Sequence, residues 1–214
     1  MYANPFTDEE LEARLARVRG EMDRRGLDLT LLSTPENIFY LTGLDHWGYF
    51  APHLLIVPAD GQMVLITRAM ERVTIEHQVR NALFEGHSDS ETAADMAVRH
   101  LRAAPTARAR QQAALNETKD VIETLPASRP RIGVESWSAG HSFGFGTALR
   151  DKIDAAEWVD ITGMVDGLRL VKSPQEQAII RAAAKASDAD QIAAMVPAVM
   201  RHAGLDDDGL PGIV

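Results

Sequence analysis

Metal ligation and proton transfer are the chemistry to look for first, and seven histidines could do either: His46, His53, His77, His87, His100, His141 and His202. They form no recognisable ligand set. None sits in an H-E-x-x-H segment, no two lie four apart, and without cysteine a metal would have to be held by imidazole and carboxylate alone. Each is therefore expected at the surface or partly buried, with no ion bound. The run Asp206-Asp207-Asp208 lacks the alternating ligands and distant glutamate of a calcium loop, and it reads as a solvated acidic tail. Nucleotide chemistry has no warrant, because neither G-x-G-x-x-G nor G-x-x-x-x-G-K-[ST] occurs.

Two further segments carry side chains suited to a site. Gly140-His141-Ser142-Phe143-Gly144 matches the G-x-S-x-G spacing that holds a nucleophilic serine on a strained strand-to-helix turn. Its surroundings do not fit, since the nearest expected strand ends at Glu135, Ser136 to Ala139 reads as a helix cap, and only His202 lies downstream as a base. Ser142 is expected to be an ordinary residue of a glycine-interrupted helix. The segment Asp45 to Pro52 gathers His46, Trp47, Tyr49 and Phe50 into one expected loop. Loops rich in aromatics bind ligands or partners, which makes these four the candidate substrate-pocket residues. The alternative is that the rings cover a sheet edge.

The elements that must position these residues are well signalled. Thr7 and Glu10 form a capping box, Phe6 can staple onto Leu11, and Leu11, Leu15, Val18 and Met22 recur along one helical face that Gly26 ends. Leu27 to Ser33 is a near-continuous apolar strand, expected to be buried on both faces. Thr34 caps a short helix with Pro35 at its first position and Gly43 as terminator. Leu54–Val57 and Met63–Thr67 flank Asp60-Gly61 as a hairpin. Residues 69 to 80 and 90 to 125 read as helical, the second broken at Pro105. Arg131–Glu135 is a short buried strand, Ser138–Lys152 a helix and Glu157–Asp160 a last strand. The fold class is α/β, a mixed sheet flanked by helices. Val165 to Lys172 reads as a connector, after which Ser173, Pro174 and Glu176 start a new helix with an apolar stripe of Ile179, Ala182, Ala183 and Ala186. That helix begins about 40 residues before Val214, too few for another domain.

Composition narrows the classes. A chain of 214 residues with 45% apolar residues can build a proper core in one or two domains. A net charge of −9 repels phosphate backbones, so no nucleic-acid partner is expected. Arg14, Arg17, Arg24 and Arg25 are interleaved with acids, the pattern of a solvated helix surface. No run of 18 apolar residues and no basic-then-apolar leader occurs, so no membrane partner is expected and the cytoplasm is the default compartment.

Taken in order, Gly26-Leu27-Asp28, Pro35-Glu36-Asn37-Ile38-Phe39-Tyr40-Leu41-Thr42-Gly43, Ile132-Gly133-Val134-Glu135 and Val165 to Ser187 resemble the creatinase/Xaa-Pro aminopeptidase/prolidase family, over roughly residues 7 to 190. The resemblance implies a creatinase-like amino-terminal domain of ribonuclease H type over residues 1–165. Residues 166–214 would be a connector and the truncated start of a carboxy-terminal pita-bread hydrolase domain. In that family the amino-terminal domain mediates homo-oligomer assembly and lends residues to a partner's substrate pocket. The hydrolase site holds two divalent ions, such as Mn, Co or Zn, through two Asp, one His and two Glu, or uses a histidine without metal as in creatinase. Matching positions would follow residue 190, so neither a catalytic residue nor a metal is expected in this chain. The complete parent would act on a small-molecule or peptide substrate, and this chain alone would be inactive. The competing class is a stand-alone ligand- or protein-binding module that uses the loop 45–52.

Overall fold

Strict alternation in three strands dictates the layering. In the strands β1 (Leu29–Leu32), β2 (Leu54–Pro58) and β3 (Met63–Arg68), Leu32, Leu55, Val57, Met63 and Leu65 enter one core. The intervening Leu29, Leu31, Leu54, Ile56 and Ile66 enter a second core on the opposite face. Because side chains alternate across a strand, this pattern demands helices on both faces. The computed structural model, which describes residues 4–45, 52–103 and 129–187 with scattered positions from 193 to 199, supplies them.

One face is covered by α1 (Asp8–Arg24), α2 (Pro35–Thr42), α3 (Arg72–Gln78) and the short α6 (Met164–Arg169). The other carries α4 (Ala93–Ala103) and α5 (Phe143–Lys152). Three more strands, β4 (Ala82–His87), β5 (Arg131–Val134) and β6 (Glu157–Asp160), complete a six-stranded sheet in the order β4-β3-β2-β1-β5-β6. Only β2 runs against its neighbours, pairing Leu55 with Leu32 and Leu54 with Ile66. All the other pairings are parallel, so β1, β3, β4, β5 and β6 end at one edge of the sheet, where β2 begins. The α/β mixed sheet flanked by helices is the expected class.

Most local signals act as expected. Thr7 Oγ1 accepts from Glu10 N at 3.3 Å, Gly26 and Gly43 take the left-handed conformations that stop α1 and α2, and Gly61 turns the β2–β3 hairpin. Arg14 departs from expectation. It is 2% exposed rather than solvated: its Nη1 donates to the Tyr40 carbonyl at 2.9 Å, its Nε meets Glu10, and its guanidinium lies 3.8 Å from the Phe6 ring centroid. A planar guanidinium accepts such a slot because its faces are weakly hydrated and stack on rings.

Three boundaries also differ. Residues 82–87 form a parallel strand that was not anticipated, α5 starts at Phe143 rather than Ser138, and Met164–Arg169 is helical where a plain connector was expected. The stretch expected to be helical beyond residue 103, with Pro105, lies outside the described residues. The chain divides into two compact units, Met1–Leu170 and Val171–Val214. In the second, α7 (Pro174–Ala186) opens on the expected capping box between Ser173 and Glu176.

Candidate functional site

The carboxyl ends of five strands meet at one edge, the place where open α/β sheets bind ligands. Its centre is closed by the protein itself. Glu135, directly after β5, is 3% exposed and accepts from Ser33 N and Thr34 N at 2.7 Å each and from Asn37 Nδ2 at 2.5 Å. Two of those donors are backbone groups leading into α2, so the Glu135 carboxylate sits just before the helix start, where negative charge is favoured. Thr34, the N-cap residue of α2, makes no side-chain cap bond of its own. Asn37 Oδ1 in turn accepts from Arg169 Nη1 at 3.0 Å, and Arg169 also meets Asp166 at 3.1 Å. The chain from β5 through α2 to α6 is a structural clamp.

Above the clamp, the turn from Glu135 to Ser142 is pinned at both ends. Ser138 N donates to the Glu135 carbonyl, Trp137 N to Thr162 Oγ1 at 3.3 Å, and Gly140 lies so close to the Ser33 carbonyl that a side chain there would collide with it. This fixed turn holds Trp137 86% exposed and Phe143, just beyond it, 91% exposed. A cavity of about 270 Å³ opens beside Trp137, with Glu36, Ser138, Thr162 and Asp166 in its wall. Nothing in the sequence reading singled out Trp137. Its signal is an aromatic within Ser136-Trp137-Ser138, where no apolar periodicity accounts for it.

Ser142 is the N-cap of α5 rather than a residue on a strand-to-helix turn. Its Oγ accepts from Phe145 N at 3.3 Å as the N-cap of α5, and no strand leads directly into it. The cap expected at Ser136–Ala139 is therefore supplied by Ser142. His141, its neighbour, packs edge-on against Phe145 with centroids 5.6 Å apart. Burial pushes its imidazole below the usual value, Arg150 adds to the effect, and Asp160 opposes it. The folded state thus favours the neutral ring, and its contribution is present above about pH 6.5 and lost as the pH falls below that value. Asp95 and Asp160, both held below the usual carboxylate range by hydrogen bonds, titrate outside this window. The melting temperature is expected to fall between about pH 7.5 and 5.5, and to fall less in His141→Gln. Equal slopes in calorimetry would remove His141 from this role.

His46, Trp47, Tyr49 and Phe50 lie outside the described residues, but the chain on either side of them is firmly held. On the entry side, Gly43 stops α2, Asn4 Nδ2 bridges the Thr42 and Gln78 carbonyls, and Asp45 N donates to Gln78 Oε1 at 2.8 Å. On the exit side, Pro52 and the buried His53 lead into β2 at the carboxyl edge. Among the described residues, no three histidine or carboxylate side chains converge to hold a metal ion, and no helix is long and apolar enough to cross a membrane.

The family model described as the Creatinase/Prolidase N-terminal domain matches residues 14–171. The ectoine hydrolase of Halomonas elongata is 39% identical over 67 residues, which is 31% of this chain and 17% of that relative's length. Among solved structures, the creatinase/prolidase N-terminal domain of an X-Pro dipeptidase from Streptococcus pyogenes superposes with a TM-score of 0.51 at 21% identity, covering 72% of this chain and 98% of that one. The prolidase of Thermococcus sibiricus gives 0.57 at 18% identity, covering 78% of this chain and 39% of the relative. At these identities the structural matches bear on the fold, which they share.

Proposed function

Because this chain belongs to the creatinase/prolidase N-terminal domain family, we propose that it assembles a hydrolase of that family and shapes its substrate pocket, while the bond-breaking chemistry resides elsewhere in the complete protein. The observation that carries this reading is the carboxyl edge. Trp137 is held out by a pinned turn at the edge where the aromatic loop 45–52 rejoins the sheet, and neither that turn nor its exposure contributes to the core. Large aromatics kept exposed on a rigid frame are contact groups. The edge therefore supplies apolar walls to a pocket completed by a second copy of the protein. The coverage figures support the division of labour, since the matched segment is 17% of the ectoine hydrolase and the fold occupies 39% of the prolidase.

The two Asp, one His and two Glu implied by the family resemblance have no counterpart cluster among the described residues of this chain. The test is direct. Purified chain, assayed with Mn²⁺, Co²⁺ or Zn²⁺ on Xaa-Pro dipeptides and on creatine, is expected to show no turnover. Activity that co-purifies with the protein and survives in Ser142→Ala would overturn the assignment; activity lost in that variant would restore Ser142 as a nucleophile.

A further inference from the structure

The dipeptide Asp-Gly occurs three times, at Asp60-Gly61, Asp166-Gly167 and Asp208-Gly209. In such a pair the glycine nitrogen can attack the side-chain carboxyl carbon of the aspartate, because the product is an unstrained five-membered imide and glycine has no side chain to obstruct the approach. Where that nitrogen points decides whether the pair reacts, since an N–H committed to a backbone carbonyl is held away from the carboxyl group. The fold treats the two described pairs in opposite ways, and Asp208-Gly209 lies outside the described residues.

Asp60 and Gly61 form the exposed tip of the β2–β3 hairpin, where Gly61 takes a φ of 92°. The strand pairing runs from Leu54–Ile66 to Ile56–Val64 and does not reach them. Gly61 N donates instead to Asp60 Oδ1 at 2.8 Å, which places it next to an oxygen bonded to the carbon it would attack. Nothing crowds that approach, for an added Cβ at Gly61 would meet no atom within 4 Å. In α6, by contrast, Gly167 N donates to the Gly163 carbonyl at 3.0 Å, and the Asp166 carboxylate is turned to Arg169 at 3.1 Å.

We infer that Asp60-Gly61 is a site of spontaneous isoaspartyl formation in the folded protein, and that Asp166-Gly167 is not. Gly61 N bonds to Asp60 Cγ, and the carboxyl hydroxyl and the amide proton leave together as one water. A second water then opens the imide at either carbonyl. Opening at one restores aspartate; opening at the other routes the main chain through Cβ and Cγ, one atom longer, with no net change in mass. The extra atom enters where α1 is anchored, because Arg19 Nε donates to the Pro58 carbonyl at 3.1 Å and Arg19 Nη2 to the Gly61 carbonyl. A lengthened tip moves the Gly61 carbonyl away from a guanidinium whose two donors have a fixed spacing. None of this depends on the hydrolase reading.

The test is to age the full chain in heavy-oxygen water, digest it, and read each site by electron-transfer mass spectrometry, which detects both isoaspartate and the heavy oxygen that imide opening leaves behind. In the folded chain Asp60 is expected to convert severalfold faster than Asp166. In concentrated urea the two rates should converge, because the hairpin and the helix that set them apart are gone. Asp60→Glu, whose imide ring would be six-membered, should abolish the label at this position in a chain that still folds. The isoaspartyl form, separated by ion exchange, should melt below the unmodified protein because the Arg19 anchor is weakened. Equal rates at Asp60 and Asp166 in the folded chain, the same preference in urea as in the folded chain, or isoaspartate that carries no heavy oxygen would each overturn the inference; an unchanged melting temperature would overturn the link to Arg19.

Discussion

Replacing Glu135 by alanine is expected to destabilise the domain by about 3–4 kcal/mol, lowering its melting temperature by roughly 6–15 °C. The cause is not the loss of packing volume. Glu135 satisfies Ser33 N, Thr34 N and Asn37 Nδ2 at a buried strand end, and removing it strands three donors where water has little access. Each orphaned donor costs about 1–3 kcal/mol, partly offset because the carboxylate is itself no longer desolvated. Glu135→Gln separates the two contributions. It keeps the shape and one acceptor oxygen but turns an amide N–H₂ toward other donors, so an intermediate loss of about 2 kcal/mol is expected. Chemical denaturation would read both variants. A loss below about 1 kcal/mol in Glu135→Ala would mean that water replaces the carboxylate and that the clamp is not what holds α2 to β5.

The same residue shows what the sequence could and could not convey. Strands β1, β2 and β3 are legible because a short, near-continuous apolar run is a local property, and helix starts such as Thr7 and Ser173 are legible because a cap and its partner lie three residues apart. Glu135 was visible only as an acid after an apolar run, because its donors lie about a hundred positions away and only the parallel β1–β5 pairing brings them together. Arg14 misled for a related reason. Interleaved charge on a helix marks a wet face unless a tertiary slot takes one member, and the slot here comes from Phe6 and Tyr40 on other elements. β4 was missed because Ala82-Leu83-Phe84-Glu85-Gly86-His87 has one strongly apolar pair and a glycine. Gly86 is required by the approach of the Ala69 backbone, and only its six-residue register with β3 makes the segment a strand.

The candidate site was legible in the same uneven way. The aromatic composition of the loop 45–52 stands out in one dimension, whereas Trp137 acquires meaning only when the turn after β5 is seen pinned to Thr162 and Ser33. Trp137 and the segment 45–52 are about 90 positions apart in sequence, yet the described residues Pro52 and His53 lead into β2 at the same edge as the turn after β5. A rigid sheet edge with side chains borne on short connections suits a wall that must be precise without being part of the core.

In the complete protein, Trp47→Ala and Tyr49→Ala are each expected to lower kcat/KM by about 1–3 kcal/mol of transition-state stabilisation while leaving the melting temperature unchanged. The anchors argue for this separation of effects. Asp45 N is held by Gln78, and His53 is buried just before β2, so the flanking residues have anchors of their own. Aromatic rings that close over a substrate exclude water from it. Trp137→Ala serves as the companion variant, because an indole that is 86% exposed contributes little to folding and its removal should fall within about 0.5 kcal/mol of stability. If the edge faces a neighbouring copy's pocket, the three variants lose activity together, and a double variant of Trp47 and Trp137 deviates from additivity because both rings wall the same space. If the rings merely shield the sheet edge, activity falls only as far as stability does. Unchanged kcat/KM in Trp47→Ala and Tyr49→Ala would return the loop to that shielding role, even if Trp137 proved to be a contact.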